Sequence, residues 1–329
     1  MKNLITDVPG LTIGEAHDEV AATGVTVIVF DRPTVASIAT LGGAPGLRDT
    51  ALLEPEMTVD HVDAILLSGG SAFGLDAAGG AMAALKEKGR GFEVGPVRVP
   101  IVPQAILFDL LNGGNKDCGR MPPYWELGYQ ATKSAGLEME LGTAGAGYGA
   151  TTATLKGGLG SASVKTPSGF TVGAVVAVNT VGTATIGDGP HFWAAPYEHG
   201  NEFGGLGLSK VISVDDLRPR LKGSAQRANT VIGCIVTDAM LTKAECKRLA
   251  LAAHDGLARA IRPAHTPMDG DTLFAAATAF KPLDKGNVDL TELCIAAADV
   301  LARAIARGVY EAKSLPFAGA LPDWKARSR

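Results

Sequence analysis

The sequence predicts an α+β fold, with helices covering the outer faces of antiparallel sheets in a layered α/β/β/α arrangement rather than a doubly wound parallel sheet. Three observations predict it. β-Branched runs occur in both halves of the chain. The first two flank a turn tripeptide, which is the pattern of a hairpin. Helical segments follow each group of strands, as helices packed on a sheet face would.

Residues 24–30, Gly-Val-Thr-Val-Ile-Val-Phe, form a strand; Asp31-Arg32-Pro33 breaks it, and residues 34–40 are its hairpin partner. Residues 63–67 form another strand. It runs into Ser68-Gly69-Gly70-Ser71 and then an Ala-rich helix over about 75–88. A β segment covers 97–108, interrupted by Pro100 and Pro103. Residues 142–160 are rich in Gly, Ala and Thr, small enough to let the backbone approach a neighbour closely. Residues 170–179 are a buried strand. Residues 187–227 lose periodicity and form a long exposed loop. At Thr230 the pattern changes to Thr-Val-Ile-Gly-Cys-Ile-Val-Thr, a central strand. Thr242-Lys-Ala-Glu245 is a capping box that starts a helix to about Ile261, and a second long helix spans about 290–312.

The 329 residues are compatible with one large domain or two, and at 46% hydrophobic and 19% charged they hold enough apolar material for a sizeable core. The net charge of −4, without clustered Lys and Arg, argues against a nucleic-acid partner, and the basic tail 325–329 is short enough to be simply solvated. Cys118, Cys234, Cys246 and Cys294 form no C-x-x-C pair and have no His at zinc spacing, so they read as small buried hydrophobes. The N-terminus lacks the apolar run of a signal peptide, and no stretch is long enough to span a membrane. The expectation is a soluble, cytoplasmic protein with no metal and no cofactor.

Five features are candidates for chemistry. At Asn229-Thr230 a loop meets a buried strand. A cut there would give Thr230 its own α-amine, with a pKa of ~8, as a base for its hydroxyl; the plainer reading is an ordinary loop-to-strand Thr. Met268-Asp269-Gly270-Asp271-Thr272 carries two carboxylates at a turn. It fails as a calcium loop and suits acid–base or orienting work, or is simply a charged turn. Lys156, among small residues, has room to reach inward or to be solvated. Asn179 ends a buried strand, so its amide must be bonded, and it could equally serve an oxyanion. Ser68-Gly-Gly-Ser71 does not match a nucleophile elbow, but its amides could cradle an anion. No Ser-His-Asp grouping is visible around His254 and His265.

Four segments, Pro9-Gly10-Leu11-Thr12-Ile13-Gly14, Leu67-Ser-Gly-Gly-Ser-Ala-Phe-Gly-Leu75, Ala228-Asn-Thr-Val-Ile-Gly and His265-Thr-Pro-Met-Asp-Gly-Asp-Thr-Leu-Phe274, together resemble the P1 peptidases, the S58 or DmpA-like family. That family includes L-aminopeptidase/D-esterases, β-aminopeptidases and 6-aminohexanoate-oligomer (nylon) endo-hydrolases. The Asn-Thr junction and the Met-Asp-Gly-Asp-Thr-Leu-Phe run look most like the nylon-hydrolase branch.

The resemblance implies a single four-layer αββα domain over 1–329, of the N-terminal-nucleophile-like DmpA/ornithine-acetyltransferase/NylC type. It implies self-cleavage into 1–229 and 230–329, with the pieces staying associated and assembling as tetramers of the cleaved unit. The substrate would be a small peptide or an oligoamide. Thr230 matches the family nucleophile, Lys156 a nearby lysine and Asn179 the oxyanion-stabilising asparagine. Asp269 and Asp271 match the orienting carboxylates. The same type of fold also supports acyl transfer, as in ornithine acetyltransferase, and an uncut scaffold without turnover is a third reading. One departure stands out. Phe108 occupies a position where some relatives carry Tyr, so the missing hydroxyl must be replaced, for instance by a backbone N–H near Gly70 or Gly147.

Overall fold

The computed structural model describes residues 1–223 and 229–327. Ala228, the last part of the 187–227 loop and the final two residues of the basic tail lie outside the described residues. Eleven strands appear in chain order: β1 (Leu11–Asp18), β2 (Thr23–Thr40), β3 (Gly46–Arg48), β4 (His61–Ser68), β5 (Phe92–Val94), β6 (Val97–Val99), β7 (Gln104–Ile106), β8 (Gly158–Lys165), β9 (Thr171–Asn179), β10 (Thr230–Ala239) and β11 (Thr272–Lys281). The main helices are α1 (Ala77–Glu87), α2 (Tyr124–Lys133), α3 (Lys243–Ala260) and α4 (Asn287–Tyr310).

Nine strands share one hydrogen-bonded sheet in the order β3-β7-β4-β2-β11-β10-β9-β8, with β1 beside β2, while β5 and β6 form a separate hairpin. β2 is the hinge of this sheet. Its first half pairs with β1 and β4, and its second half, from Val35, pairs with β11. The sheet therefore doubles over into two stacked layers. Ile28, Phe30 and Ile65 of one layer meet Val175, Ile232, Cys234 and Phe274 of the other in a dry central core. α1 and α2 cover the outer face of the first layer, burying Val27, Leu66, Ala81 and Ala131. α3 and α4 cover the second, burying Val231, Ile235, Leu249, Leu257 and Leu301. Three cores between four layers make the αββα sandwich expected from the sequence.

The expected hairpin at 31–33 is not there. β2 runs unbroken through Asp31-Arg32-Pro33, because the ladder to β4 shifts register between Val29 and Thr34. Pro33 sits in that exposed gap, where its missing N–H costs no ladder bond. The single segment expected over 97–108 is two short strands in different sheets, β6 and β7, separated at Pro100 and Pro103. A 3-10 turn, Ser71–Asp76, precedes α1, so the regular helix starts two residues later than expected. The 187–223 stretch carries the short turn Ala195–Tyr197 and a β-bridge from Phe192 to Thr185, and it is not wholly exposed: Phe192 and Phe203 are buried, and Phe192 stacks on Trp324. The capping box is as read, with Thr242 Oγ1 accepting from the Glu245 N–H and Glu245 accepting from the Thr242 N–H at 2.7 Å. No helix among the described residues is long and apolar enough to cross a membrane.

Candidate active site

Thr230 opens β10 directly opposite Asn179, the last residue of β9, and both are buried. The strand pairing alone therefore places the candidate nucleophile beside the candidate oxyanion donor. The Thr230 hydroxyl donates to the carbonyl oxygen of Asn229 at 2.5 Å. The same oxygen accepts the Gly270 N–H at 2.9 Å. The carbonyl of the Asn229–Thr230 peptide thus carries two donors, one of them the hydroxyl of the residue that follows it.

Gly270 is held there by backbone pairing on both sides. Asn229 and Asp269 form a parallel bridge. From the other side, the loop after β2 donates Ala44 N–H to the Asp269 carbonyl at 2.8 Å and Leu41 N–H to the Asp271 carbonyl at 3.1 Å. Glycine at 270 leaves room for the Thr230 hydroxyl. A Cβ there would lie 2.7 Å from Thr230 Oγ1 and 3.0 Å from Ala44 O.

The two carboxylates differ in their surroundings. Asp271 accepts the Val231 N–H at 3.0 Å through Oδ1. Its Oδ2 accepts the His265 N–H at 2.9 Å and faces His265 Nδ1 at 3.0 Å. Asp271 therefore grips β10 one residue beyond Thr230. Asp269 Oδ2 accepts the Thr266 N–H at 3.0 Å, while its buried Oδ1 has no hydrogen-bond partner among the described residues. Burial first, and Asp271 second, raise the Asp269 carboxyl above its ordinary pKa. Behind Asp271, His265 meets His254 edge to face at 4.8 Å. His254 Nε2 lies 3.0 Å from the Ala39 carbonyl, so that nitrogen carries the proton. Burial pushes the His254 pKa down to about 4.

Asn179 is fixed in one orientation. Its Oδ1 accepts from Asn112 Nδ2, the Thr151 N–H and Lys222 Nζ, each at 3.0 Å. Its Nδ2 donates to the Phe108 carbonyl at 2.8 Å and keeps a second N–H. The contribution of Phe108 is thus its backbone oxygen. Lys156 is fully enclosed, donating to the carbonyls of Gly147, Ala150 and Gly157 at 3.1, 2.8 and 3.0 Å. Burial pushes its pKa down to about 7, with Asp109 acting in the opposite sense.

Neither backbone N–H suggested as a substitute for the missing tyrosine hydroxyl is free. The Gly147 N–H donates to the Ala144 carbonyl at 2.9 Å. The Gly70 N–H donates to Asp109 Oδ1 at 2.9 Å. The Ser68–Ser71 turn does cradle an anion, but the anion is the chain's own Asp109, which also accepts from Thr23 Oγ1 at 2.6 Å. Glycine leaves room here too, since a Cβ on Gly69 would overlap that carboxylate at 2.1 Å. Burial raises the Asp109 carboxyl pKa even with Lys116 only 3.9 Å away.

Sequence reading missed four residues of this site: Lys222, Asn112, Asp109 and Gly270. Of these, Gly270 lies within the Met268–Thr272 turn and Asp109 directly follows Phe108. Among the described residues no group of three or more His, Cys, Asp and Glu is arranged to hold a metal ion.

These buried bases make stability depend on pH. Lys156 and Lys222 are both pushed down to about 7 by burial, so between pH 7 and their ordinary value of 10.5 the unfolded chain binds more protons than the folded one. Stability therefore rises with pH across that span. Its upper part overlaps the ionisation of Cys234 and Cys246, whose thiols burial pushes upward and which favour the folded state less above about pH 9. The clean window is about pH 7 to 9. On the acid side the contribution of His254, which is lost as pH drops from about 6.5 to 4, is opposed by the buried carboxyls of Glu15, Asp109 and Asp269, whose raised pKa values favour the folded state as pH falls. Thermal melts are expected to show Tm increasing from pH 7 to 9, with the rise smaller in Lys156→Met.

Solved structures share this architecture. A Burkholderia β-aminopeptidase superposes with a TM-score of 0.70 at 22% identity, covering 100% of this chain and 92% of that one. An Ochrobactrum anthropi L-aminopeptidase D-Ala-esterase/amidase, described as a variant of the Ntn hydrolase fold, gives 0.69 at 19%, covering 98% and 92%. In sequence, a Mycobacterium tuberculosis protein named as an uncharacterized aminopeptidase is 42% identical over 98% of this chain and 97% of its own. A 6-aminohexanoate-oligomer endohydrolase of Kocuria is 31% identical over 83% of this chain and 74% of its own. The family model and the relatives support a hydrolase acting on amide bonds. The chain belongs to peptidase family S58, whose model matches residues 3–320, as the four sequence segments had implied.

Proposed function

We propose that the chain cuts itself between Asn229 and Thr230, and that Thr230 then acts as the N-terminal nucleophile of an amidohydrolase for peptide or oligoamide bonds. The observation that carries this is the Asn229 carbonyl, whose oxygen is held by the Gly270 N–H and lies against the Thr230 hydroxyl. In the cut, Thr230 Oγ adds to the Asn229 carbonyl carbon and the Gly270 N–H supports the oxyanion. The C–N bond breaks, the hydroxyl proton ends on the departing nitrogen, and an ester links Asn229 to Thr230. Water hydrolyses that ester, leaving a carboxylate on Asn229 and a free amine on Thr230.

In turnover the amine takes the hydroxyl proton while Oγ attacks the substrate carbonyl, and the proton passes to the leaving amine. Water then releases the acyl group. The second N–H of Asn179 and the N–H of Gly270 supply the oxyanion donors, so Phe108 need not supply one. Asp271 holds β10, Asp269 offers its unpaired oxygen to the new ammonium, and Lys156 keeps the 147–157 turn closed around the site. The cleaved units are expected to assemble as tetramers and to work in the cytoplasm.

Intact mass of the purified protein tests the cut, which must fall between residues 229 and 230. A panel of α-peptide amides, β-peptides and 6-aminohexanoate oligomers tests the chemistry. The aminopeptidase names of the closer-matching mycobacterial relatives favour trimming from a free amino end; release of single N-terminal units, rather than internal fragments, would bear that out. Gly270→Ala is expected to slow the cut by roughly 10²-fold, because the added methyl displaces the Thr230 hydroxyl. Fragment appearance over time on a denaturing gel measures this, with Tm as the check on folding.

A further inference from the structure

A cavity of about 240 Å³ lies beside Asn179, and its lining mixes polar and apolar side chains. Its walls include Leu111, Phe317 and Leu321. At the end nearest the nucleophile it is lined by Asn112, Thr151 and Lys222, the three residues that donate to Asn179 Oδ1. Asn179 is in turn the strand partner of Thr230. Lys222 is the one ionisable side chain among the residues that line it.

Lys222 is only 8% exposed, and among the described residues no carboxylate lies within ion-pair distance of it. Its ammonium has three N–H groups and one bonded oxygen. Burial lowers its pKa to about 7, the mark of a cation without a close anion, with Asp269 acting in the opposite sense from farther off. The contacts that anchor its segment do not involve the Asn229–Thr230 peptide. The Lys222 N–H donates to the Val181 carbonyl at 2.9 Å, Arg220 grips both oxygens of Asp188 at 3.0 and 2.9 Å, and Arg262 donates to the Leu217 carbonyl at 3.1 Å.

We propose that this cavity is a substrate subsite for a short apolar chain ending in a carboxylate, with Lys222 as the cation that receives it. The assignment of the cavity to substrate rests on the amidohydrolase reading, but the binding itself can be tested apart from it.

The full-length Thr230→Ala chain keeps the uncut polypeptide seen here and can be titrated calorimetrically with hexanoate and with hexanamide. Hexanoate is expected to bind about tenfold more tightly, the size of one charge-assisted hydrogen bond. Adding Lys222→Met should bring the two ligands level, and Lys222→Arg should keep the preference. Equal affinity for both ligands before any Lys222 change would overturn the proposal without reliance on how that variant folds. So would a preference that persists in a folded Lys222→Met chain. In the wild-type enzyme, an oligoamide with a free terminal carboxylate should show about tenfold lower KM than its terminal amide. If neither is hydrolysed, the amidohydrolase reading fails while the titration still decides the subsite.

Discussion

Thr230→Ala is expected to leave one uncut chain of 329 residues with no measurable amidase activity, whereas the wild type is expected to run as two bands. Both losses come from one oxygen. In the uncut chain Oγ1 is the atom in contact with the Asn229 carbonyl, and in the cut chain it is the atom proposed to attack substrate. Removing a nucleophile costs on the order of 10⁶ in kcat in a well-built hydrolase. Thr230→Ser keeps the oxygen and should still cut, more slowly, because the lost γ-methyl no longer restricts the rotamer. The fold should tolerate the alanine, since β10 keeps its pairing to β9 and β11 through backbone bonds. An unchanged Tm with no second band separates loss of chemistry from loss of structure. An alanine variant that still yields fragments 1–229 and 230–329 would sink the mechanism.

Asn179→Asp is the second large effect, expected to lower kcat by about 10²–10³. The substitution is nearly isosteric, and one oxygen can keep the three donors from Asn112, Thr151 and Lys222. The other replaces Nδ2, which now donates to the Phe108 carbonyl at 2.8 Å. Two acceptors then face each other, and the N–H proposed for the oxyanion is gone. Lys222 offsets the buried charge, so the protein should remain folded while kcat falls. Steady-state kinetics on a short amide, read beside a melt, checks this. Asn179→Ala is the poorer test, because it strands three donors at once.

How much of this was legible beforehand follows from the kind of signal each residue leaves. Thr230, Asn179 and the Asp269–Asp271 pair sit where periodicity changes or where a polar residue ends an apolar run, and both are visible locally. The αββα layering was legible because strand and helix periods differ. β2 was misread because Pro33 breaks a strand on most chemical grounds, and only its neighbours' register makes the gap harmless. Lys222 left no trace. It lies in an aperiodic, charged stretch where a lysine is ordinarily solvated, and only the tertiary fold buries it. Gly270 was passed over for a different reason. Its contribution is a backbone N–H and the absence of a Cβ, and attention went to the carboxylates on either side.

The place of the junction in the sheet also bears on how the two pieces can be made. Residues 230–329 hold β10, β11, α3 and α4, with β10 and β11 paired in parallel to one another. Within the whole chain, β9 closes one side of that pair and β2 the other. Expressed alone, the smaller piece would present two bare strand edges, together with the apolar sheet face that Ile28, Phe30 and Ile65 now cover. Such a fragment is a template for self-association rather than a soluble partner awaiting its mate. Synthesis as one polypeptide, with the proposed cut falling only after the ladder has closed, would hand each edge its neighbour before it is ever exposed.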